Sequence, residues 1–105
     1  MSVSSSELSD GKIVLKILGN LDTYKASIEF KDALEETFSS GKREVVLDLD
    51  AVEKINSFGT GKILMFYRRF KSAGGEMYVK VPLHGEVQEV FNDMKIDKLL
   101  KNYSI

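Results

Sequence analysis

The sequence predicts a single α/β domain with a mixed, mostly parallel sheet, an antiparallel hairpin at its N-terminal edge and helices that cross over between strands. Strand-like and helix-like apolar patterns alternate from residue 12 onward, which is typical of parallel strands joined by helices. Before them, Asp10 and Gly11 separate two strand-like runs, and this dipeptide is a turn signal of β-hairpins. The 105 residues contain no linker, repeat or low-complexity tract, so we expect one domain over residues 1–105.

The first half of the chain is predicted to contain the hairpin, a helix and a buried strand. A weak strand is expected over residues 3–8 and a stronger one over residues 12–18. Thr23 is a suitable N-cap for a helix that ends at Gly41. Residues 45–49 are mostly apolar, as in a strand buried on both faces. The apolar positions of the first helix recur at helical spacing, namely Ala26, Phe30, Ala33, Leu34, Thr37 and Phe38.

The second half of the chain is predicted to continue the alternation. A helix over residues 57–73 precedes Gly74 and Gly75, and a strand over residues 77–81 follows. A third helix is expected after Pro82, and beyond it lies an apolar patch to which we assign no helix or strand. The third helix has its apolar positions on one face, namely Val87, Val90, Phe91 and Met94, and the patch consists of Ile96, Leu99 and Leu100.

Composition excludes several classes of function. The chain has no cysteine, so it forms no disulfide and no thiolate site, which suits a reducing compartment. Its formal net charge is -1 with both signs interspersed, which disfavours nucleic acid as a partner. Residues 1–6 lack the features of a signal peptide, and the longest apolar run, residues 63–67, is too short to span a bilayer. We therefore expect a cytoplasmic protein without direct membrane insertion.

The candidate site lies where two loops leave the carboxyl ends of neighbouring strands. In sheets of this kind, binding sites form beyond those ends, where loops lead into helix N-termini. Residues 19–23 and 50–61 should therefore meet and bring Asp22, Asn56, Ser57 and Phe58 onto one rim. The amides at the start of the second helix could face an anion or a partner there.

These residues resemble the STAS domain, which bacterial anti-sigma factor antagonists share with the cytoplasmic tails of sulphate transporters. The resemblance rests on residues 19–22 after the second strand, on residues 45–50, on residues 56–61 at the start of the next helix and on the Gly74-Gly75 pair. No single motif is specific, but their order and separations match over nearly the whole chain. The resemblance implies a regulatory domain that acts by binding another protein.

The resemblance also implies a phosphorylation switch that this sequence alters. In the family, the antagonist binds an anti-sigma factor that is also a serine kinase, and the kinase phosphorylates the hydroxyl residue directly before the first glycine of the turn. Here that residue is Phe58, which cannot accept phosphate. Asn56 replaces a common acidic residue, and Thr60 replaces a larger aliphatic one. Ser57 is the nearest hydroxyl, and either it is a substitute phosphoacceptor or Ser57 or Asn56 simply caps the helix.

Helical spacing divides the second helix into two sides. Phe58 and Met65 should lie in the solvated stripe, where they form either a partner-binding patch or local packing and a solitary exposed hydrophobe. Thr60, Ile63, Leu64, Tyr67 and Phe70 should face the sheet, Lys62 and Arg69 should share the side of Phe58, and Phe66 should lie at its flank. The residues predicted to bind a partner are Asp22, Thr23, Asn56, Ser57, Phe58, Gly59, Thr60, Lys62 and Met65.

Other polar residues give no catalytic or metal-binding pattern. Asp48, Asp50 and Glu53 have no nucleophile or further ligand beside them, so we interpret them as solvated carboxylates. His84 is assigned to the surface or to a helix cap. Residues 59–62 resemble a phosphate-binding turn faintly but lack the spacing of a P-loop. We therefore expect no enzyme activity, no metal and no cofactor.

Three functional hypotheses follow. The first is a STAS-type antagonist that binds a kinase-type anti-sigma factor and controls sigma-dependent transcription, without phosphorylation at the usual position. The second is a cytoplasmic STAS subunit of a lipid or anion transport complex. The third is a module that binds a small ligand or nucleotide with the amides of residues 59–62. The oligomeric state is left open between a monomer and a weak homodimer.

Overall fold

The computed structural model describes residues 1–104 as an alternation of strands and helices. The strands are β1 (Ser2–Glu7), β2 (Ile13–Leu18), β3 (Glu44–Asp48), β4 (Glu76–Lys80) and β5 (Lys101–Asn102). The helices are α1 (Tyr24–Ser39), α2 (Ser57–Ser72), α3 (Glu86–Asp93) and α4 (Ile96–Leu99). In this part of the chain, no helix combines the length and the apolar character that crossing a membrane requires.

The five strands form one mixed sheet in the order β1-β2-β3-β4-β5. Strand β1 pairs antiparallel with β2, and the remaining neighbours pair parallel, which confirms the predicted fold class. The sequence prediction missed α4 and β5, because the apolar patch near the end of the chain is shared between them. Leu100 lies buried between these two elements, and β5 has only two residues, too few for an alternating pattern to be recognised.

The hydrophobic core lies between the sheet and a layer of helices on one of its faces. Alternate residues of β2, β3 and β4 form one cluster with residues of all four helices, among them Leu15, Leu47, Phe30, Phe70 and Phe91. Residues 45–49 are all buried, as predicted for a strand covered on both faces. Phe66, predicted to lie at the flank of the solvated stripe of α2, is fully buried.

The far end of the helical layer is closed by an aromatic and cationic cluster. The Phe38 ring contacts Phe70 edge-on, with ring centroids 5.1 Å apart. The guanidinium groups of Arg43 and Arg69 lie 4.0 and 4.4 Å from the Phe38 centroid. Arg69 also pairs with Glu35 of α1. These contacts join the C-terminal halves of α1 and α2 at the end of the domain opposite the candidate site.

Candidate functional site

The two loops predicted to meet do lie against each other. Leu21 and Ile55 form a parallel bridge, and the Leu21 amide donates to the Lys54 carbonyl at 2.8 Å. The Asn20 side-chain oxygen accepts hydrogen bonds from the amides of Glu53 and Lys54 at 3.0 and 3.1 Å. Asn20 is part of the family resemblance, but no local pattern predicts these bonds, because their partners lie more than 30 positions away. This side chain therefore holds the loop that leads into α2, together with Glu86, whose carboxylate accepts from the Ile55 amide at 2.9 Å.

Asn56 is the N-cap of α2 and also ties that helix to the first loop. Its side-chain oxygen accepts from the Phe58 amide at 3.0 Å, and its side-chain nitrogen donates to the Asp22 carbonyl at 2.8 Å. Of the two capping residues considered from the sequence, Asn56 fills the role. Ser57 is the first residue of the helix and is exposed, so its hydroxyl does not serve as the cap.

Three of the residues predicted to bind a partner point inward or serve the fold. Gly59 is buried, and a Cβ atom there would lie 2.9 Å from both the Leu21 carbonyl oxygen and Ile55 Cγ1. Thr60 is buried, as its helical position predicts. The Thr23 hydroxyl accepts from the Ala26 amide at 3.1 Å and so caps α1. Gly59 and Thr60 are therefore part of the packing beneath the surface, and their contact with a partner stays a prediction.

An aromatic pair occupies the surface above this packing. The rings of Tyr24 and Phe58 meet edge to face, with centroids 5.6 Å apart and planes at 79°. Tyr24 remains 63% exposed and Phe58 48% exposed. Tyr24 is not predictable as a site residue from the sequence, because the apolar spacing of α1 indicates only its buried face. The two helix N-termini together present an apolar surface that either one alone would lack.

Met65 extends this apolar surface along α2. It lies two turns beyond Phe58 on the same stripe and is 45% exposed. Between them lies Gly61, where an added Cβ would have no heavy atom within 4 Å. Lys62 flanks the stripe and is partly buried. Nothing inside the domain requires a glycine at position 61, and the result is a shallow gap between two exposed apolar side chains.

The acidic residues near the site do not form a reactive group. Asp48 is only 7% exposed, and its carboxylate accepts from the Asp50 amide at 3.1 Å, so the prediction that it is solvated is wrong. Asp50 and Glu53 are exposed, and Asp50 pairs with Lys80 at 3.3 Å. His84 is exposed in the loop before α3. Within residues 1–104, no group of three or more histidine, aspartate or glutamate side chains is placed to hold a metal ion.

The amide cradle that the third hypothesis requires at residues 59–62 does not form. The Thr60 amide donates to the Asn56 carbonyl at 3.0 Å. Gly61 and Lys62 follow inside α2, where each amide bonds to the carbonyl four residues earlier. This leaves the Gly59 amide as the one group of the four that the helix ladder does not use. A single free amide beside a buried glycine does not form a phosphate-binding site. This geometry therefore does not support the third hypothesis, in which the amides of residues 59–62 bind a small ligand or nucleotide.

Comparison with known proteins identifies the family. A family model described as the STAS domain matches residues 5–104, and the chain belongs to that family, which confirms the resemblance. A candidate anti-sigma factor antagonist from Thermotoga maritima is 24% identical, with 98% of this chain and 86% of that chain covered and a TM-score of 0.81. An anti-sigma factor antagonist from Mycobacterium paratuberculosis is 22% identical, with 99% and 87% covered and a TM-score of 0.80. The Bacillus cell fate determinant SpoIIAA in its phosphorylated form is 14% identical, with 98% and 92% covered and a TM-score of 0.74.

Proposed function

We propose that this STAS domain is an anti-sigma factor antagonist that binds a kinase-type anti-sigma factor through the exposed surface at the start of α1 and α2. We call this surface the docking face and define it by Asp22, Tyr24, Ser57, Phe58, Lys62 and Met65. The fold is shared with anti-sigma factor antagonists, and STAS is the family to which the chain belongs. These two findings support the class of partner.

The observation that carries the proposal is the exposed aromatic pair. Tyr24 and Phe58 expose more apolar surface than single scattered hydrophobes do, and Met65 continues it beyond the gap at Gly61. Aromatic side chains in the centre of an interface supply much of its binding free energy, because they bury a large area at small entropic cost. A partner with an apolar pocket would cover this face.

Regulation by phosphate at position 58 is absent in this proposal, because a phenyl ring has no acceptor atom. A phosphate would add about 1.5 to 2 negative charges to a surface that must pack against the partner. With Phe58 the antagonist stays competent to bind, and control passes to the amount or state of the partner. Ser57 carries the one aliphatic hydroxyl on the docking face, and it is exposed while Asn56 provides the cap.

A phosphorylation assay tests the absence of the switch. The protein is incubated with its cognate kinase-type anti-sigma factor and ATP, and the phosphate is mapped by mass spectrometry. The wild-type protein should remain unmodified, and Phe58→Ser should become phosphorylated at position 58. The Ser57→Ala variant is the matched control. Stoichiometric phosphate on Ser57 of the wild-type protein would contradict an unswitched antagonist.

A binding titration tests the docking face itself. Phe58→Ala and Tyr24→Ala should each weaken binding of the anti-sigma factor by about 1–3 kcal/mol, which is about fivefold to 150-fold in Kd. Leu99→Ala is the matched control, because Leu99 is also 48% exposed but lies in α4, away from the docking face. Equal affinity of all three variants and the wild-type protein would show that the partner binds elsewhere.

A further inference from the structure

The outer edge of β1 has its main-chain groups available to another strand. The Leu8 amide donates to the Lys12 carbonyl at 2.8 Å, so this pair closes the hairpin as a hydrogen-bonded pair. Such pairs alternate along an antiparallel ladder, so residues 2, 4 and 6 bond to β2, while Val3, Ser5 and Glu7 direct their amides and carbonyls outward. In the described residues, no strand pairs with β1 on this side.

Most of the usual features that prevent strand addition are missing from this edge, where Glu7 at the end of β1 is the one charged side chain. Proteins protect exposed edges with proline, lysine, bulges or very short strands. Strand β1 has six residues, no proline, no lysine and an uninterrupted register with β2. The opposite edge strand, β5, has two residues. The sheet is therefore open to extension on the β1 side.

A groove with an apolar floor runs beside the same edge. It lies between β1 and α1 and has a volume of about 240 Å³. The floor is formed by Val3, Ile13, Leu15 and Ala33, and Glu36 lies at the rim. A strand added to β1 would place alternate side chains on the groove side, as Val3 and Ser5 are placed. The groove could hold an aliphatic side chain of that strand.

The charges at the groove favour a basic ligand. Lys42 at the rim is neutralised by Glu7, with 3.0 Å between the ammonium nitrogen and the carboxylate oxygen. Glu36 is exposed and forms no ion pair with any residue in the range 1–104. An incoming arginine or lysine would pair with Glu36 without breaking an existing contact.

We propose that the β1 edge binds an extended peptide segment of another protein as a sixth strand, with an aliphatic side chain in the groove and a basic residue beside Glu36. Main-chain hydrogen bonds would provide affinity and the groove would provide specificity, as in other cases of strand addition. A second copy of this chain fits less well as the added strand. Its β1 would supply the aliphatic side chain of Val3 but no arginine or lysine, and it would bring a second Glu7 close to Glu36. This surface is separate from the docking face. Tyr24, Glu35 and Phe38 of α1 all contact residues of α2, whereas the groove lies on the side of α1 that faces β1.

Selection from a library of random dodecapeptides tests the proposal with a defined probe. The wild-type protein should enrich sequences with aliphatic residues at alternate positions and an arginine or lysine nearby. An NMR titration with a synthetic copy of the most enriched peptide should shift amide signals of residues 2–7 and of the residues of α1 at the groove. Failure to enrich any peptide, or shifts confined to other surfaces, would overturn the proposal.

Three variants distinguish a peptide that pairs with β1 as a strand from one that binds the groove without main-chain hydrogen bonds. Ser5→Pro removes an outward amide without touching the ladder to β2 and should weaken peptide binding about tenfold, while Ser5→Ala should change it less than about twofold. Glu36→Lys should weaken binding of the basic peptide about fivefold or more, and a peptide with glutamate in place of the base should recover it. Equal binding by all variants would refute the assignment. Concentration-dependent dimers of the free protein that shift the same β1 signals would identify a second copy as the occupant instead.

Discussion

Gly59 and Gly61 lie two residues apart in α2, and substituting each by alanine should change stability in opposite directions. At position 61 an added Cβ meets no heavy atom within 4 Å, and the backbone is that of an ordinary helix. Glycine in a helix costs about 0.8–1 kcal/mol relative to alanine, mainly through the entropy of the unfolded chain. Gly61→Ala should therefore stabilise the domain by about 0.5–1 kcal/mol.

At Gly59 the same methyl group has no room. It would lie 2.9 Å from the Leu21 carbonyl oxygen and 3.0 Å from Leu21 Cβ. The same carbonyl oxygen accepts a hydrogen bond from the Asn56 amide. Overpacking of this kind costs about 1–3 kcal/mol, which exceeds the gain in helix propensity. Gly59→Ala should therefore be destabilising by up to about 2 kcal/mol.

Thermal unfolding followed by circular dichroism measures both effects in one experiment. For a domain of about this length, 1 kcal/mol corresponds to roughly 4–8 °C in Tm. Gly61→Ala should raise Tm by roughly 2–8 °C, and Gly59→Ala should lower it. A lower Tm for Gly61→Ala would refute the reasoning, because it would mean that position 61 is packed or strained.

The Gly61→Ala variant also tests why position 61 is glycine. If the gap between Phe58 and Met65 receives a side chain of the anti-sigma factor, Gly61→Ala should weaken binding although it stabilises the free protein. We expect a loss of about 1 kcal/mol or more, about fivefold in Kd, from the displaced contact. Unchanged binding by the stabilised variant would show that the partner does not enter the gap.

Three further changes report on contacts away from the gap. Burial of Glu76 raises the pKa of its carboxyl, but hydrogen bonds from Lys71 and Lys101 outweigh this and hold the pKa below its ordinary value of 4.5. The ionised Glu76 carboxylate therefore stabilises the fold above pH 4.5, and this contribution is lost as pH falls through the native pKa. In urea titrations below pH 4.5, the free energy of unfolding of Glu76→Gln should fall less than that of the wild-type protein. Asn20→Ala should lower the free energy of unfolding by about 1–2 kcal/mol and speed hydrogen exchange in the loop before α2, whereas Asn20→Asp, which keeps the acceptor, should not. Phe38→Leu should cost about 1–2 kcal/mol in a chemical denaturation curve through the lost ring contacts, and an unchanged midpoint would contradict this.

Local signals in the sequence predicted most of the fold. Thr23 caps α1 as expected, because a capping side chain bonds within its own turn and leaves a signature a few residues long. Asp10 and Gly11 mark the hairpin for the same reason. The position of α2 followed from the glycines and the apolar spacing of residues 57–70. Each of these features depends on neighbours within about one turn, so a single sequence contains them.

Features that depend on distant partners were not predictable in the same way. Phe66 is buried because α1 and the sheet both cover its side of α2, and helical spacing alone reports only an average direction. Asp48 is buried at the end of β3 because Lys16 of β2 and Lys80 of β4 lie beside it in the sheet. Tyr24 becomes part of the site only because the loops place it beside Phe58. The sequence therefore predicted that the two loops meet, while the surface that they form with Tyr24 required the arrangement of α1 against α2.

The site divides its residues between two tasks, so the residue at position 58 could change without loss of the fold. Asn20, Asn56, Gly59 and Thr60 hold the two loops and the helix start together through buried or main-chain contacts. Phe58 lies above them, and in the described residues its side chain contributes to none of these contacts. A serine and a phenylalanine at position 58 are therefore carried by the same framework, so substitution there alters what the docking face presents to a partner while the geometry beneath it stays the same.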